Sequence, residues 1–291
     1  MSRWRRNALG LGVGAGEMAV LSIADGTTAK LLSHVPLADY LPGTVDAVTP
    51  AATANWEPSV SVALAQTQLG RADLHVTVAD DLARYWMVAP PQGVNSLAEL
   101  RSLAENRFES LFSDTAQHWH IEADWRIANG IFACALPSSF VASLRATSAR
   151  QGCTLKSVQP LAVRLLNRHA KDIKPNAWLC VFSARGVVSV LVTGGHATIV
   201  RQFRFTTPPL ADEMLVRLET EVLRAGTEMP PTVYFAGDAP VIGTVSPREG
   251  VELIALGRQR VVPKVVSGTS SDGGIAANME VCRLALAGVF A

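Results

Sequence analysis

The chain has 291 residues, and its 48% hydrophobic content with a mean hydropathy of +0.22 favours a packed core over intrinsic disorder, with length enough for two modest domains. The net charge of +1 gives no strong field toward nucleic acid or an anionic membrane surface, so neither is expected as a partner. No run approaches the ~20 apolar residues of a membrane span, and the widely spaced cysteines favour the reduced thiols of a cytoplasmic protein over disulfides.

The first predicted element is a β-hairpin over residues 9–23. Its sequence, LGLGVGAGEMAVLSI, is an apolar run, a turn of glycine and alanine, and a second alternating apolar run. Because basic residues precede it, residues 1–24 also resemble a secretory signal peptide. Four glycines within residues 10–16, together with Glu17, disfavour the helix of a signal peptide, so the hairpin is the preferred interpretation.

Between this hairpin and residue 170, we predict strands and helices in alternation. The helix that begins at Ser96 has the strongest signal, since Ser96 and Glu99 have the spacing of a capping box. A separate hairpin within this first half is predicted to turn at Asn129-Gly130. The other predicted elements are a strand with an irregular loop (27–48), a helix (59–69), a strand (73–79), a helix (137–152), a strand (154–158) and a helix (161–169).

The second half opens with a repeat of the first hairpin. A polar segment, KDIKPN at 171–176, predicts a linker, and residues 178–192 then read WLCVFSARGVVSVLV. A further strand (198–205), a helix (210–225), a strand (232–236) and a tail helix from about Ile275 follow. The duplicated hairpin predicts two lobes, 1–170 and 171–291, in an α/β or α+β protein.

Two polar pairs outside the duplicated hairpin are candidates for metal binding. Asp80 and Asp81 follow a predicted strand, where capping of a helix is favoured over a metal. His118 and His120 lie on one face of a strand, but no nearby cysteine completes a metal site, so a solvent-facing strand edge is favoured. We therefore expect no metal centre.

Three segments together resemble a known superfamily. They are LGLGVGAGEMAVLSI, the strand–helix–strand–helix sequence FACALPSSFVASLRATSARQGCTLKSVQPLAVRLL, and the late glycine turn VYFAGDAP. They are similar to the actin-like ATPases, and most of all to the PilM and GspL branch of type IV pilus and type II secretion assembly proteins. The resemblance implies a two-lobed actin-like ATPase fold, which is a duplicated ribonuclease H-like fold.

In that superfamily the two hairpin turns bind nucleotide phosphates and the late glycine turn faces the adenosine. The resemblance therefore implies a nucleotide cleft at Gly12, Gly14, Ala15, Ser183, Gly186, Gly237 and Asp238. The superfamily also carries an aspartate before each hairpin turn to hold Mg²⁺, and this chain has Gly12 and Phe182-Ser183-Ala184 there instead. We expect a vestigial cleft that carries no cofactor, or binds ATP without hydrolysing it.

The function implied by the resemblance is that of a non-catalytic cytoplasmic scaffold at the bacterial inner membrane, in pilus or secretion assembly. A groove of the first lobe would bind a membrane partner's cytoplasmic segment as a strand or a helix. Tyr85 and Trp86 are predicted as partner contacts, with core packing as the alternative. Self-association is left open.

Two other classes of function remain as alternatives. One is an ATP-binding or weakly active ATPase in which Glu17 or Asp238 holds the metal. The other is a secreted or periplasmic binding protein, if residues 1–24 are a signal peptide.

Overall fold

The structure is a computed structural model. It describes residues 7–14, 16–23, 28–37, 55–65, 67, 71–89, 93–94, 96–125, 130–205, 211–238, 250–256, 264–267 and 279–289. The strands are β1 (Asn7–Gly14), β2 (Glu17–Ile23), β3 (Thr28–Pro36), β4 (Ala72–Val78), β5 (Arg84–Val88), β6 (Trp119–Ala123), β7 (Ile131–Pro137), β8 (Cys153–Pro160), β9 (Ala177–Ser183), β10 (Gly186–Thr193), β11 (His196–Arg204), β12 (Thr232–Gly237), β13 (Glu252–Ala255) and β14 (Lys264–Ser267). The α-helices are α1 (Glu57–Ala65), α2 (Leu97–Phe112), α3 (Ser138–Arg150), α4 (Leu161–Arg168), α5 (Ala211–Ala225) and α6 (Met279–Val289).

Five strands of the first sheet follow the same order as the five strands of the second sheet, as the repeated hairpin predicts. The first sheet has the order β14-β3-β2-β1-β4-β8, and the second sheet has the order β11-β10-β9-β12-β13. In each, three antiparallel strands are followed by two parallel ones: β1 and β9 are the first strands of their hairpins, and β4 and β12 lie beside them in parallel. Both copies of the duplicated hairpin, β1–β2 and β9–β10, are confirmed, and two residues separate the strands of each.

A third, small sheet is inserted between β4 and β8. It has the order β5-β7-β6, and α2 packs on it through an aromatic cluster that contains Trp86, Phe108 and Trp119. The predicted antiparallel pairing of β6 with β7 is confirmed, while residues 126–129 at the predicted turn lie outside the described residues. The predicted capping box of Ser96 and Glu99 opens α2.

The first sheet is covered on both faces. Ala19 and Leu21 of β2 pack against Cys282 and Ala285 of α6. Because side chains alternate along a strand, the intervening Val20 points to the other face, where the main core cluster also includes helix α1. Helix α4 contacts β4 and β8 of the first sheet and β9 of the second, so it lies between the two sheets.

The predicted division of the chain at residues 170 and 171 separates most of the two sheets, with one exception that local sequence did not indicate. Strand β14 pairs with β3, and α6 packs on β1, β2 and β4. The end of the described chain therefore belongs to the first sheet, although it falls in the predicted second lobe. The predicted tail helix is present as α6 (Met279–Val289), and residues 275–278 of the prediction lie outside the described residues.

None of the described helices has the length and apolar character needed to cross a membrane.

Candidate functional site

The turn of the first hairpin is packed against protein. Gly14 is the last residue of β1, and Gly16 in the turn has φ +83°. A Cβ atom added to Gly14 would lie 2.5 Å from the Cβ of Ala79 and 3.2 Å from Cδ1 of Leu284 in α6. Of the predicted cleft residues, Ala15 lies outside the described residues. The space beside Gly14 is therefore filled by this chain's own side chains.

The glycines of β1 have a structural reason that the sequence analysis missed. Gly10 pairs with Leu21 and Gly12 pairs with Ala19, so these glycines lie on the face that α6 covers. Their missing side chains let the helix approach the strand closely. The signal was present in the sequence as a period of two, since Gly10, Gly12 and Gly14 recur at the spacing of one strand face, which a phosphate-binding turn does not require.

The turn of the second hairpin is closed on itself. The Ser183 hydroxyl is buried and donates a hydrogen bond to the carbonyl oxygen of Gly186 at 3.2 Å. A Cβ at Gly186 would lie 2.8 Å from the carbonyl oxygen of Phe203 in β11. Phe182, at the position of the superfamily's aspartate, is fully buried in an apolar cluster with Phe235. This turn offers a phenyl ring and a hydroxyl that is already hydrogen-bonded, in place of a metal-holding carboxylate.

The late glycine turn joins the second hairpin to α6. Gly237 has φ +74°, and a Cβ there would collide with the carbonyl oxygen of Phe182. The next N–H, that of Asp238, donates a hydrogen bond to the same oxygen at 3.0 Å. The Asp238 carboxylate forms an ion pair with Arg283 of α6. Asp238, the residue that follows β12, is thus fixed to β9 through its N–H and to α6 through its carboxylate.

The two carboxylates that could replace the missing aspartates already have basic partners. Glu17 contacts Nε2 of His34, and Asp238 contacts Arg283. The part of the chain that the structure describes holds no group of three or more His, Cys, Asp or Glu side chains arranged to bind a metal. A cationic guanidinium beside Asp238 opposes Mg²⁺ there, so these residues do not fit a magnesium–nucleotide complex.

Asp80 caps a helix, as predicted, but the helix is α4 and not its own turn. Its carboxylate accepts a hydrogen bond from the N–H of Ala162 at 3.0 Å, in the first turn of α4, and another from the Tyr85 hydroxyl. Its carbonyl oxygen accepts a hydrogen bond of 2.6 Å from Gln202 in β11, which links the two sheets. Burial, together with the Asp80 carboxylate, raises the pKa of Tyr85 well above its ordinary value.

Tyr85 and Trp86, the predicted partner contacts, lie in the core. Tyr85 is 7% exposed and stacks on Phe132, with 6.1 Å between ring centroids. Trp86 is 2% exposed and packs on Phe108 at 5.3 Å. Both rings belong to β5, which pairs with β7, so the core alternative describes them and neither has surface to offer a partner.

A groove lies where the small sheet meets the first sheet. It encloses about 230 Å³ between β6, β7, α3 and β8, and we call it the strand-edge groove. Strands β6 and β8 each end their sheet among the described strands, so both present backbone edges near it. Its apolar lining is Leu136, Val141, Leu155 and Val158, and its charged lining is Glu122, Arg145 and Lys156. Cys134 also lines it, and burial raises the pKa of this thiol to about 12.

The sequence matches no protein-family profile and no curated protein. The three-dimensional structure does match solved structures, and it has the actin-like ATPase fold. One match is a Bacteroides thetaiotaomicron protein with an actin-like ATPase fold and unknown function, at 7% identity and a TM-score of 0.50, covering 81% of this chain and 83% of that one. The predicted two-lobed α/β fold is thereby confirmed.

Two further matches extend over almost the whole chain. A PilM–PilN type IV pilus biogenesis complex aligns with a TM-score of 0.54 and 15% identity, covering 97% of both chains. The cytoplasmic domain of EpsL, an inner-membrane component of the type II secretion system of Vibrio cholerae, aligns with a TM-score of 0.50 and 10% identity, covering 96% of this chain and 93% of that one. The predicted resemblance to the PilM and GspL branch is confirmed at the level of the fold.

Proposed function

We propose that this protein is a non-catalytic cytoplasmic scaffold of a type IV pilus or type II secretion assembly at the inner membrane, and that it binds the cytoplasmic segment of a membrane partner. The observation that carries the proposal is the packing of α6 on two of the three cleft turns: Leu284 lies beside Gly14, and Arg283 pairs with Asp238. The PilM–PilN complex and the EpsL cytoplasmic domain support the assignment to such a machine.

The proposed lack of hydrolysis follows from charge. Phosphoryl transfer depends on cations that compensate the charge of the phosphates, and a carboxylate must hold the metal that supplies it. This chain has Gly12 and Phe182 at the two positions of the superfamily's carboxylates. Isothermal titration with Mg-ATP should give no binding, and micromolar binding that requires Mg²⁺ would overturn the proposal in favour of an ATPase.

The strand-edge groove is the proposed partner site. An extended segment could pair its backbone with the edge of β8 or β6 and place alternate apolar side chains against Leu155 and Val158. Such pairing uses backbone groups that have no strand neighbour on that side among the described strands.

The test is photo-crosslinking in the native host. A photoreactive amino acid at Lys156, which lines the groove and is 42% exposed, should crosslink to the cytoplasmic segment of an integral inner-membrane protein. The same amino acid at Lys171, which is exposed beyond α4 and does not line the groove, serves as the control. Equal crosslinking at both positions, or none at Lys156, would contradict the proposed site.

The secreted alternative conflicts with the architecture of the first sheet. Removal of residues 1–24 would delete β1 and β2, which lie in the middle of that sheet. Mass spectrometry of the protein from its native host checks this point, since a mature N-terminus near residue 25 would restore the alternative.

A further inference from the structure

Helix α6 packs on the first hairpin through a buried cluster that includes Cys282, Ala285 and Leu286. Its sequence is MEVCRLALAGV, and Cys282 and Ala285 are buried against β2. Leu284 is 2% exposed and reaches the space beside Gly14. Helix and strand are therefore matched, since the glycines of β1 remove the side chains that would otherwise hold α6 away.

The same helix contacts the end of the second sheet through Arg283, the residue before Leu284. Arg283 pairs with Asp238, whose N–H is bonded to Phe182 in β9. The two side chains of the ion pair are 51% and 26% exposed, so solvent screens it and its contribution to overall stability is small. The ion pair nevertheless restricts the relative movement of the two sheets, because it joins a helix of the first sheet to Asp238 at the end of the second.

We propose that α6 acts as an internal ligand of the cleft: it contacts two of the three turns where an actin-like ATPase binds nucleotide, and it holds the two sheets in one fixed arrangement without nucleotide. Leu284 fills the side of the first hairpin, and Arg283 anchors the late glycine turn. This goes beyond the proposed partner site, because it concerns what sets the relative position of the sheets. Helix α4 and the Gln202–Asp80 hydrogen bond also join the sheets, so breaking the Arg283 contact widens the arrangement and does not separate them.

The experiment measures the distance between the sheets. Fluorophores are attached through azidophenylalanine at Val62 in α1 and Leu223 in α5, which are 47% and 78% exposed, so the native cysteines stay untouched. The wild-type protein should give one narrow distance distribution that Mg-ATP does not change. In Arg283→Glu, two carboxylates face each other, and the distribution should broaden toward longer distances. The double variant Arg283→Glu/Asp238→Arg should restore the narrow distribution.

Arg150→Glu is the matched control. Arg150 forms an exposed ion pair of 2.8 Å with Glu57, and both residues lie on helices of the first sheet. This variant loses a similar surface ion pair without touching the link between the sheets, so it should keep the wild-type distribution. The proposal is overturned if Arg283→Glu matches wild type, if Arg150→Glu broadens equally, or if the charge swap fails to restore the folded protein's distribution.

A second variant tests the Leu284 contact by a different readout. In Leu284→Ala, hydrogen exchange of the amides in β1 and β2 should accelerate several-fold, while the amides of β9 and β10 keep their rates. Unchanged exchange in β1 and β2 would contradict the role of Leu284. Failure here leaves the crosslink at Lys156 unaffected, so the two proposals fail separately.

Discussion

Replacing Gly14 by alanine should destabilise the protein by about 1–2 kcal/mol. The added methyl group would lie 2.5 Å from the Cβ of Ala79, and a real contact of this kind needs more than 3 Å, so buried neighbours must move. Overpacking of a well-packed core costs about 1–3 kcal/mol. Alanine also lowers the conformational entropy of the unfolded chain, which offsets about 0.4–1 kcal/mol of this destabilisation. The offset applies here because Gly14 does not have a positive φ. The midpoint of urea denaturation measures the difference.

A double variant isolates the cause. Ala79→Gly removes the methyl group that the new one would strike, so Gly14→Ala/Ala79→Gly should be more stable than the sum of the single changes predicts, by about 1 kcal/mol. If Gly14 served nucleotide phosphates and not packing, Gly14→Ala would leave the free energy of unfolding unchanged. That outcome, or additive single changes, would refute the packing argument.

Three further outcomes are expected. Gly237→Ala should destabilise the protein by more than Gly14→Ala does in urea denaturation, because φ is +74° and its Cβ would strike a backbone carbonyl; a smaller effect would contradict the geometry. Trp86→Ala should lower the free energy of unfolding by about 3–5 kcal/mol. Leu223→Ala, at a residue that is 78% exposed, should change it by no more than about 0.5 kcal/mol. Similar denaturation midpoints for the two variants would contradict the burial of Trp86. Burial holds the pKa values of Tyr85 and Cys134 above those of the unfolded chain, so the unfolded state alone loses the Cys134 proton from about pH 8.5 and the Tyr85 proton near about pH 10. The free energy of unfolding should therefore fall as the pH rises from 7.5 to 10, and less steeply in Cys134→Ala; equal slopes would argue against a buried thiol.

The hairpins were predictable because their signal is local. Apolar residues alternate around a tight turn within one short stretch of chain, and this pattern predicts the hairpins that the structure has at Leu9–Ile23 and Trp178–Val192. The capping box at Ser96 was predictable for the same reason. Each of these features depends on neighbours in the chain and not on distant contacts.

The surroundings of the candidate site depend on distant contacts, and there the sequence was insufficient. Tyr85 and Trp86 precede Pro90-Pro91, which made an exposed loop plausible, but Phe108 and Phe132 from later elements bury them. The packing of α6 on β1 joins residues more than 260 positions apart in the chain. The alternate glycines of β1, Gly10, Gly12 and Gly14, are the local signal that one face of this strand packs closely against another element.

The return of the chain to the first sheet has a consequence for its synthesis on the ribosome. Domains generally fold as their sequence emerges, beginning with the N-terminal one. Here the face of β2 that carries Ala19 and Leu21 is covered by α6, which is translated after every strand of the second sheet. The nascent first half must therefore carry an open apolar surface until α6 has been translated. Neither half is a complete folding unit, and expression of residues 1–170 alone should yield an aggregation-prone product.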